Sequence, residues 1–115
     1  MILGIGVDII EIRRIQKAIE RWGKDFLEHV FTNEEIAAAQ KYKFPYPHYA
    51  GRFAAKEAVF KALGDAQVSW KDLQIMNDSD GKPHCQYLKK GFKNRILLTI
   101  SHSRDYAVAQ AVVTQ

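Results

Sequence analysis

Gly51-Arg52-Phe53-Ala54-Ala55-Lys56-Glu57-Ala58-Val59-Phe60-Lys61-Ala62 decides how this chain is read. It predicts a helix over about residues 49–63, closed by Gly64, the residue expected just past a helix C-terminus. Glu57 and Lys61 lie four apart and point along one face, and Ala54 and Ala58 beside them leave room for a ligand. Spacing alone also fits an ordinary i,i+4 ion pair worth about 0.3–0.5 kcal/mol. Arg52, near the start of the same helix, adds a site where a phosphate would feel the positive end of the helix dipole.

Outward from this helix, the opening run Gly4-Ile5-Gly6-Val7-Asp8-Ile9 predicts a first strand over about residues 2–9 that carries a carboxylate near its end. A charge in an apolar segment is costly to desolvate unless a cation or donor meets it. Asp8, Glu57 and Lys61 together suggest a metal and phosphate site, with Mg²⁺ holding phosphate oxygens. Gly4-Ile5-Gly6 is not a dinucleotide fingerprint, because only three residues precede it and Ile9 occupies the sixth position.

From Ile12 to about residue 28 a helix is expected, with Ile12, Ile15, Ile19, Trp22 and Phe26 as its buried stripe. Arg13, Arg14, Lys17, Arg21 and Lys24 fall within about 100° of arc on the opposite side of the wheel. A solvated surface explains such a face, and so does an acidic partner: a nucleic-acid backbone, an acidic helix or anionic lipid. Thr32 and Glu35 have capping-box spacing and start the next helix, which Phe44-Pro45-Tyr46-Pro47 interrupts.

Beyond Gly64 the pattern changes to strands. Residues 72–76 and 85–88 flank the polar turn containing Asp80-Gly81, and residues 95–100 and 106–113 flank Ser101-His102-Ser103-Arg104-Asp105, giving two hairpins. Ala107, Ala109 and Ala111 share one face of the last strand, where helix or subunit backbone can approach closely. The whole is an α+β chain, a compact single domain over residues 1–115 with three helices in its N-terminal half packed on a mainly antiparallel sheet.

A length of 115 residues suits one domain, small enough for oligomerisation to add stability and build shared sites. The single Cys85 excludes an internal disulfide framework, and no Cys/His spacing suggests zinc. A net charge of +4 says less than its clustering. No GxSxG elbow surrounds Ser101 or Ser103, so His102 does not read as part of a hydrolase triad. The apolar opening lacks a basic leader and reaches a charged helix too early for a span of roughly 20 residues, so a cytoplasmic protein is expected.

Gly4-Ile5-Gly6-Val7-Asp8-Ile9-Ile10-Glu11-Ile12, Ala50 to Ala58 with Lys61-Ala62, Gly81-Lys82-Pro83 and Ile100-Ser101-His102-Ser103 closely resemble holo-[acyl-carrier-protein] synthases. The resemblance spans nearly the whole chain, and its first two blocks are the specific ones. It implies the 4'-phosphopantetheinyl transferase fold, assembled as a homotrimer with sites between subunits. It also implies Mg²⁺-dependent transfer of 4'-phosphopantetheine from coenzyme A to a serine of apo acyl carrier protein, in support of fatty acid biosynthesis.

By match to the family motifs, Asp8 and Glu57 would ligate Mg²⁺, and Lys61 would stabilise charge growing on the phosphate oxygens. Arg52, His102 and the Gly81-Lys82-Pro83 turn would hold the phosphates and adenine portion of coenzyme A, with Lys61 among the coenzyme contacts. Carrier proteins of this family are strongly acidic, which makes Arg14, Arg21 and Lys24 docking candidates and Arg13 and Lys17 auxiliaries. Nucleic acid and membrane are not expected partners. A noncatalytic nucleic-acid-binding domain explains the basic helix but leaves Asp8 and Glu57 without a role. A carrier domain of a larger synthase stays open as an alternative acceptor. Asp65-Ala66-Gln67, where many family members continue with another Gly and a longer loop, marks a departure near the phosphate site.

Overall fold

Strand β1 (Ile2–Glu11) turns Gly4, Gly6, Asp8 and Ile10 inwards and leaves Leu3, Ile5, Val7 and Ile9 exposed on its other side, the alternation of a half-covered strand. The structure is a computed structural model that describes residues 1–64 and 67–115. After β1 come α1 (Ile12–Trp22), α2 (Lys24–Val30), α3 (Asn33–Ala39) and α4 (Tyr46–Leu63). A 3₁₀ turn at Trp70–Asp72 leads to β2 (Leu73–Asn77), β3 (Pro83–Tyr87), β4 (Arg95–His102) and β5 (Tyr106–Thr114). The strands form a three-stranded sheet in the order β1-β5-β4 and a separate β2-β3 hairpin, all antiparallel.

Both expected hairpins are present, and Gly81 has the positive φ, 86°, that its turn position favours. Helix α4 packs on the inner face of the sheet and buries Ala107, Ala109 and Ala111. The small-residue face of β5 is therefore filled by this helix. Around α4 sit two apolar clusters: one of Ala54, Ala58, Val59, Leu73, Ile75 and Leu98, the other of Ile12, Ile15, Val30, Phe31 and Tyr49. Trp70 bridges toward the helices, stacked on Phe53 at 4.9 Å and edge-on to Phe60 at 4.9 Å.

Four helices stand where three were expected, because Gly23 (φ 55°, ψ −128°) breaks the first into α1 and α2. A single 100° wheel no longer holds past that residue. Phe26 stays half-buried against Phe31 and Phe53, but Trp22 is turned out, 57 % exposed, with the Arg21 guanidinium 4.9 Å above its ring. Lys24 opens α2 instead of extending the α1 face, and faces Glu28 at 3.8 Å.

The capping box of α3 is formed as expected, with Glu35 N–H donating to Thr32 Oγ1 and Thr32 N–H donating to Glu35 Oε1. Helix α4 starts at Tyr46, three residues earlier than the periodicity placed it. Pro47 is accommodated in the first turn, where a missing N–H costs nothing. Gly64 ends the helix at φ 64°, its N–H donating to Phe60 O at 2.9 Å. The departure expected at Asp65-Ala66-Gln67 lies, at Asp65 and Ala66, outside the described residues.

Candidate active site

Two glycines bring β1 and α4 together. A Cβ on Gly4 would lie 1.9 Å from Ala62 O, and one on Gly6 would lie 1.9 Å from Ala58 O. Strand backbone thus rests directly on helix backbone. Two strand residues advance about 6.8 Å while four helix residues advance about 6 Å, so the seam stays in register from Gly4 and Ala62 to Gly6 and Ala58. The next step places Asp8 one turn further back along α4, in reach of Glu57 and Lys61.

Lys61 Nζ donates to Val7 O at 2.9 Å and to Asp8 Oδ1 at 3.3 Å, which uses two of its three donors. The ion pair runs across the seam to Asp8 and not along the helix to Glu57 among the described residues. Asp8 is largely buried, its side chain 19 % exposed, whereas Lys61 is half-exposed. Burial raises the Glu57 carboxyl above its usual range, the charge of Asp8 raises it further, and Lys61 offsets part of the effect.

Two like-charged carboxylates held this way invite a cation. No third His, Cys, Asp or Glu joins them among the described residues. One or two carboxylates completed by substrate phosphates and water is the usual donor set for Mg²⁺, so the residues fit that ion and not a closed zinc site.

A second cluster surrounds a cavity of about 330 Å³, lined by Arg52, Gly81, Pro83 and His102 together with Asn77 and His48. Four of the residues expected to hold coenzyme A thus meet at one place. Lys82 instead flanks the neighbouring groove between β3 and β4, beside Pro83. Lys61 belongs to the other cluster. Arg52, 7 % exposed, sits in the second turn of α4 and not at its N-terminus, because the helix begins at Tyr46. Its guanidinium donates to Asn77 Oδ1 at 2.7 Å.

The clusters occupy opposite edges of the sheet and opposite sides of α4. Asp8 pairs with Ala109 and Ala109 with Ile100, so Asp8 on β1 and Ile100 beside the cavity share one rung, two strand spacings or about 10 Å apart. At 100° per residue, His48 and Arg52 point about 180° away from Glu57 and Lys61. The helix stands between the two halves.

Residue-by-residue reading missed Lys56, which is fully buried and donates to Glu35 Oε1 at 2.7 Å, Val30 O at 2.9 Å and Trp70 O at 2.9 Å. Glu35 Oε2 accepts from Ile75 N–H at 2.7 Å. The pair ties α2, α3, α4 and β2 together, one residue before Glu57 and two residues before Asn77 on β2. A signal was available: a lysine inside an apolar helical run demands a partner just as Asp8 does. Nothing in the sequence marked Asn77 or His48.

On the cationic side, Arg13, Arg14, Lys17 and Arg21 are exposed on α1, and Lys24 is exposed at the start of α2. Among the described residues no helix is long and apolar enough to cross a membrane.

A family model described as the 4'-phosphopantetheinyl transferase superfamily matches residues 4–111. A holo-[acyl-carrier-protein] synthase of Thermodesulfovibrio yellowstonii is 44 % identical over 115 residues, covering 99 % of this chain and 100 % of the relative. One from Protochlamydia amoebophila is 49 % identical over 119 residues, covering 97 % and 98 %. The crystal structure of a Bacillus anthracis holo-(acyl-carrier-protein) synthase in complex with CoA (3',5'-ADP) superposes with a TM-score of 0.88 at 40 % identity, covering 100 % of this chain and 98 % of that one.

Proposed function

The chain belongs to the 4'-phosphopantetheinyl transferase superfamily, and from that premise we propose that it transfers 4'-phosphopantetheine from coenzyme A to a serine hydroxyl of apo acyl carrier protein, releasing adenosine 3',5'-bisphosphate. The observation that carries this reading is the seam of β1 on α4, which gathers Asp8, Glu57 and Lys61 from positions far apart in the sequence.

Asp8 and Glu57 would hold Mg²⁺, which when bound neutralises charge on the pyrophosphate of coenzyme A. Lys61 keeps a donor free for the phosphate oxygens, and a point charge there stabilises the transition state more than the ground state. The serine proton would leave through Glu57 or a water held at the same site as the hydroxyl attacks phosphorus. Arg52, Gly81, Pro83 and His102 receive the adenosine 3',5'-bisphosphate end, with Lys82 in the neighbouring groove.

Because α4 stands between the two clusters of one chain, a coenzyme that touches both is most simply met by sites shared between copies. Head-to-tail contacts of this kind close into rings, and a homotrimer would cover the exposed Ile5, Val7, Ile9 and Leu97 of the outer sheet face. Arg14 and Arg21 on α1, with Lys24 beyond the Gly23 break, offer an acidic carrier protein its docking surface. Residues 1–115 act as one transferase domain, serving fatty acid biosynthesis in the cytoplasm.

Intact-mass measurement of apo acyl carrier protein incubated with the protein, coenzyme A and Mg²⁺ tests the proposal. A phosphopantetheine increment is expected, and it should vanish with EDTA and with Asp8→Ala. No increment from folded protein with several carrier proteins would refute it.

A further inference from the structure

His48 and Arg52 stand one turn apart on the same face of α4. Both line the 330 Å³ cavity and an adjoining one of about 230 Å³, sharing Tyr42 and Asn77 in the wall between them. Arg52 is buried, gives one nitrogen to Asn77 Oδ1, and keeps its Nε enclosed with no acceptor. Buried donors are rarely left so, and the guanidinium that lines both cavities carries more donors than the Asn77 contact uses. No carboxylate lines either cavity among the described residues. Anionic ligands are the ones such walls recognise.

The groups around His48 are all neutral or cationic. Arg52 faces it from its own helix, Tyr42 stacks at 4.9 Å and Lys41 lines the smaller cavity from the segment after α3, Asn77 approaches from β2 and His102 from β4. Glu35 acts on Arg52 from a distance, but its oxygens are engaged by Lys56, Thr32 and Ile75. Burial and, second, the Arg52 charge lower the imidazole to about 4, so the free protein holds His48 neutral at physiological pH. A phosphate placed against Arg52 would reverse that balance, because an adjacent anion favours the charged imidazole.

We infer that His48 is a further ligand-binding residue of this pocket, which takes a proton from solvent and donates to a ligand phosphate once that phosphate is held on the Arg52 guanidinium. The inference rests on the coenzyme A reading and names the adenosine 3',5'-bisphosphate end as the group so held. Up to one proton is taken up per site filled, so affinity for that end rises as pH falls through the range between the complexed and the free imidazole, by up to tenfold per unit.

The test is NMR titration of the imidazole signals in the full-length protein, free and saturated with adenosine 3',5'-bisphosphate, with His48 assigned from His48→Gln and His48→Phe. The expected result is a His48 signal that stays neutral to below pH 5 in the free protein and titrates at least about 1.5 units higher in the complex. The phenylalanine variant keeps a ring against Tyr42, and its affinity should lose the pH dependence if the fold is intact. A His48 titration unchanged while the His102 signal responds to ligand would overturn the inference and leave the coenzyme reading standing. No response from any imidazole, with no binding by calorimetry, would overturn both.

Discussion

Glu35→Ala would strand three donors at once. Lys56 Nζ, Thr32 N–H and Ile75 N–H all end on the Glu35 carboxylate, at 2.7, 2.8 and 2.7 Å. Lys56 is fully buried, so its ammonium would be left with only the carbonyls of Val30 and Trp70 and no counter-charge. Removing one partner of a buried pair costs about 3–5 kcal/mol, and two stranded backbone N–H groups add about 1 kcal/mol each. The sum of about 5–7 kcal/mol compares with a total stability of about 5–15 kcal/mol for a domain. Burial already pulls the lysine down from its usual range, so shedding its proton sets the lower end of that cost.

Urea denaturation at fixed protein concentration, followed by tryptophan fluorescence and circular dichroism, measures the loss. Glu35→Ala is expected to be partly unfolded at 25 °C. The double variant Glu35→Leu/Lys56→Met, which removes both charges, should recover most of the difference. A Glu35→Ala protein within about 1 kcal/mol of the parent would refute the reasoning, since no cheap compensation is visible around Lys56. A double variant as damaged as the single one would show that geometry, and not uncompensated charge, sets the cost.

Lys61→Ala should lower kcat by about 10²–10³ with a smaller change in KM for coenzyme A, measured by steady-state kinetics. Gly6→Ala forces a methyl onto the Ala58 carbonyl and should cost about 1–3 kcal/mol or more, read as a lower Tm and a loss of transfer. Arg14→Glu and Trp22→Ala should each raise KM for carrier protein by about tenfold or more while leaving coenzyme A binding intact; equal weakening of both substrates counts against the docking surface. For the free protein, His48 binds its proton near 4 when folded and near 6.5 when unfolded, so the unfolded chain binds more protons between those values. Stability should therefore fall as pH drops from about 6.5 to 4, and His48→Phe should flatten that slope in urea melts.

Local rules carried much of the fold. The capping box at Thr32 and Glu35, the stop at Gly64, the turn at Gly81 and both hairpins depend on neighbours within a few residues, which a sequence displays directly. The Asp8, Glu57 and Lys61 cluster was legible as a candidate because charges inside apolar runs need partners and the motif blocks resemble a known family. Trp22 was misplaced because it is the last residue of α1 before the Gly23 break: it keeps the Ile15 side of the wheel yet lies exposed, and hydrophobic spacing does not register where the helix ends. Arg52 moved away from the helix N-terminus because a proline in the first turn let the helix start early.

Motif blocks and apolar patterning named the candidate residues and the order of the elements that present them. Packing between distant segments divides those residues into two clusters. Backbone contact at Gly4 and Gly6 is a matter of one missing Cβ meeting a helix fifty residues away, and it sets Asp8 against Lys61. Opposite faces of α4 then separate that cluster from Arg52 and His102. The Lys56–Glu35 pair, the Asn77 acceptor and the His48 wall arise from side chains distant in the chain and matched only by packing, so no local pattern could announce them.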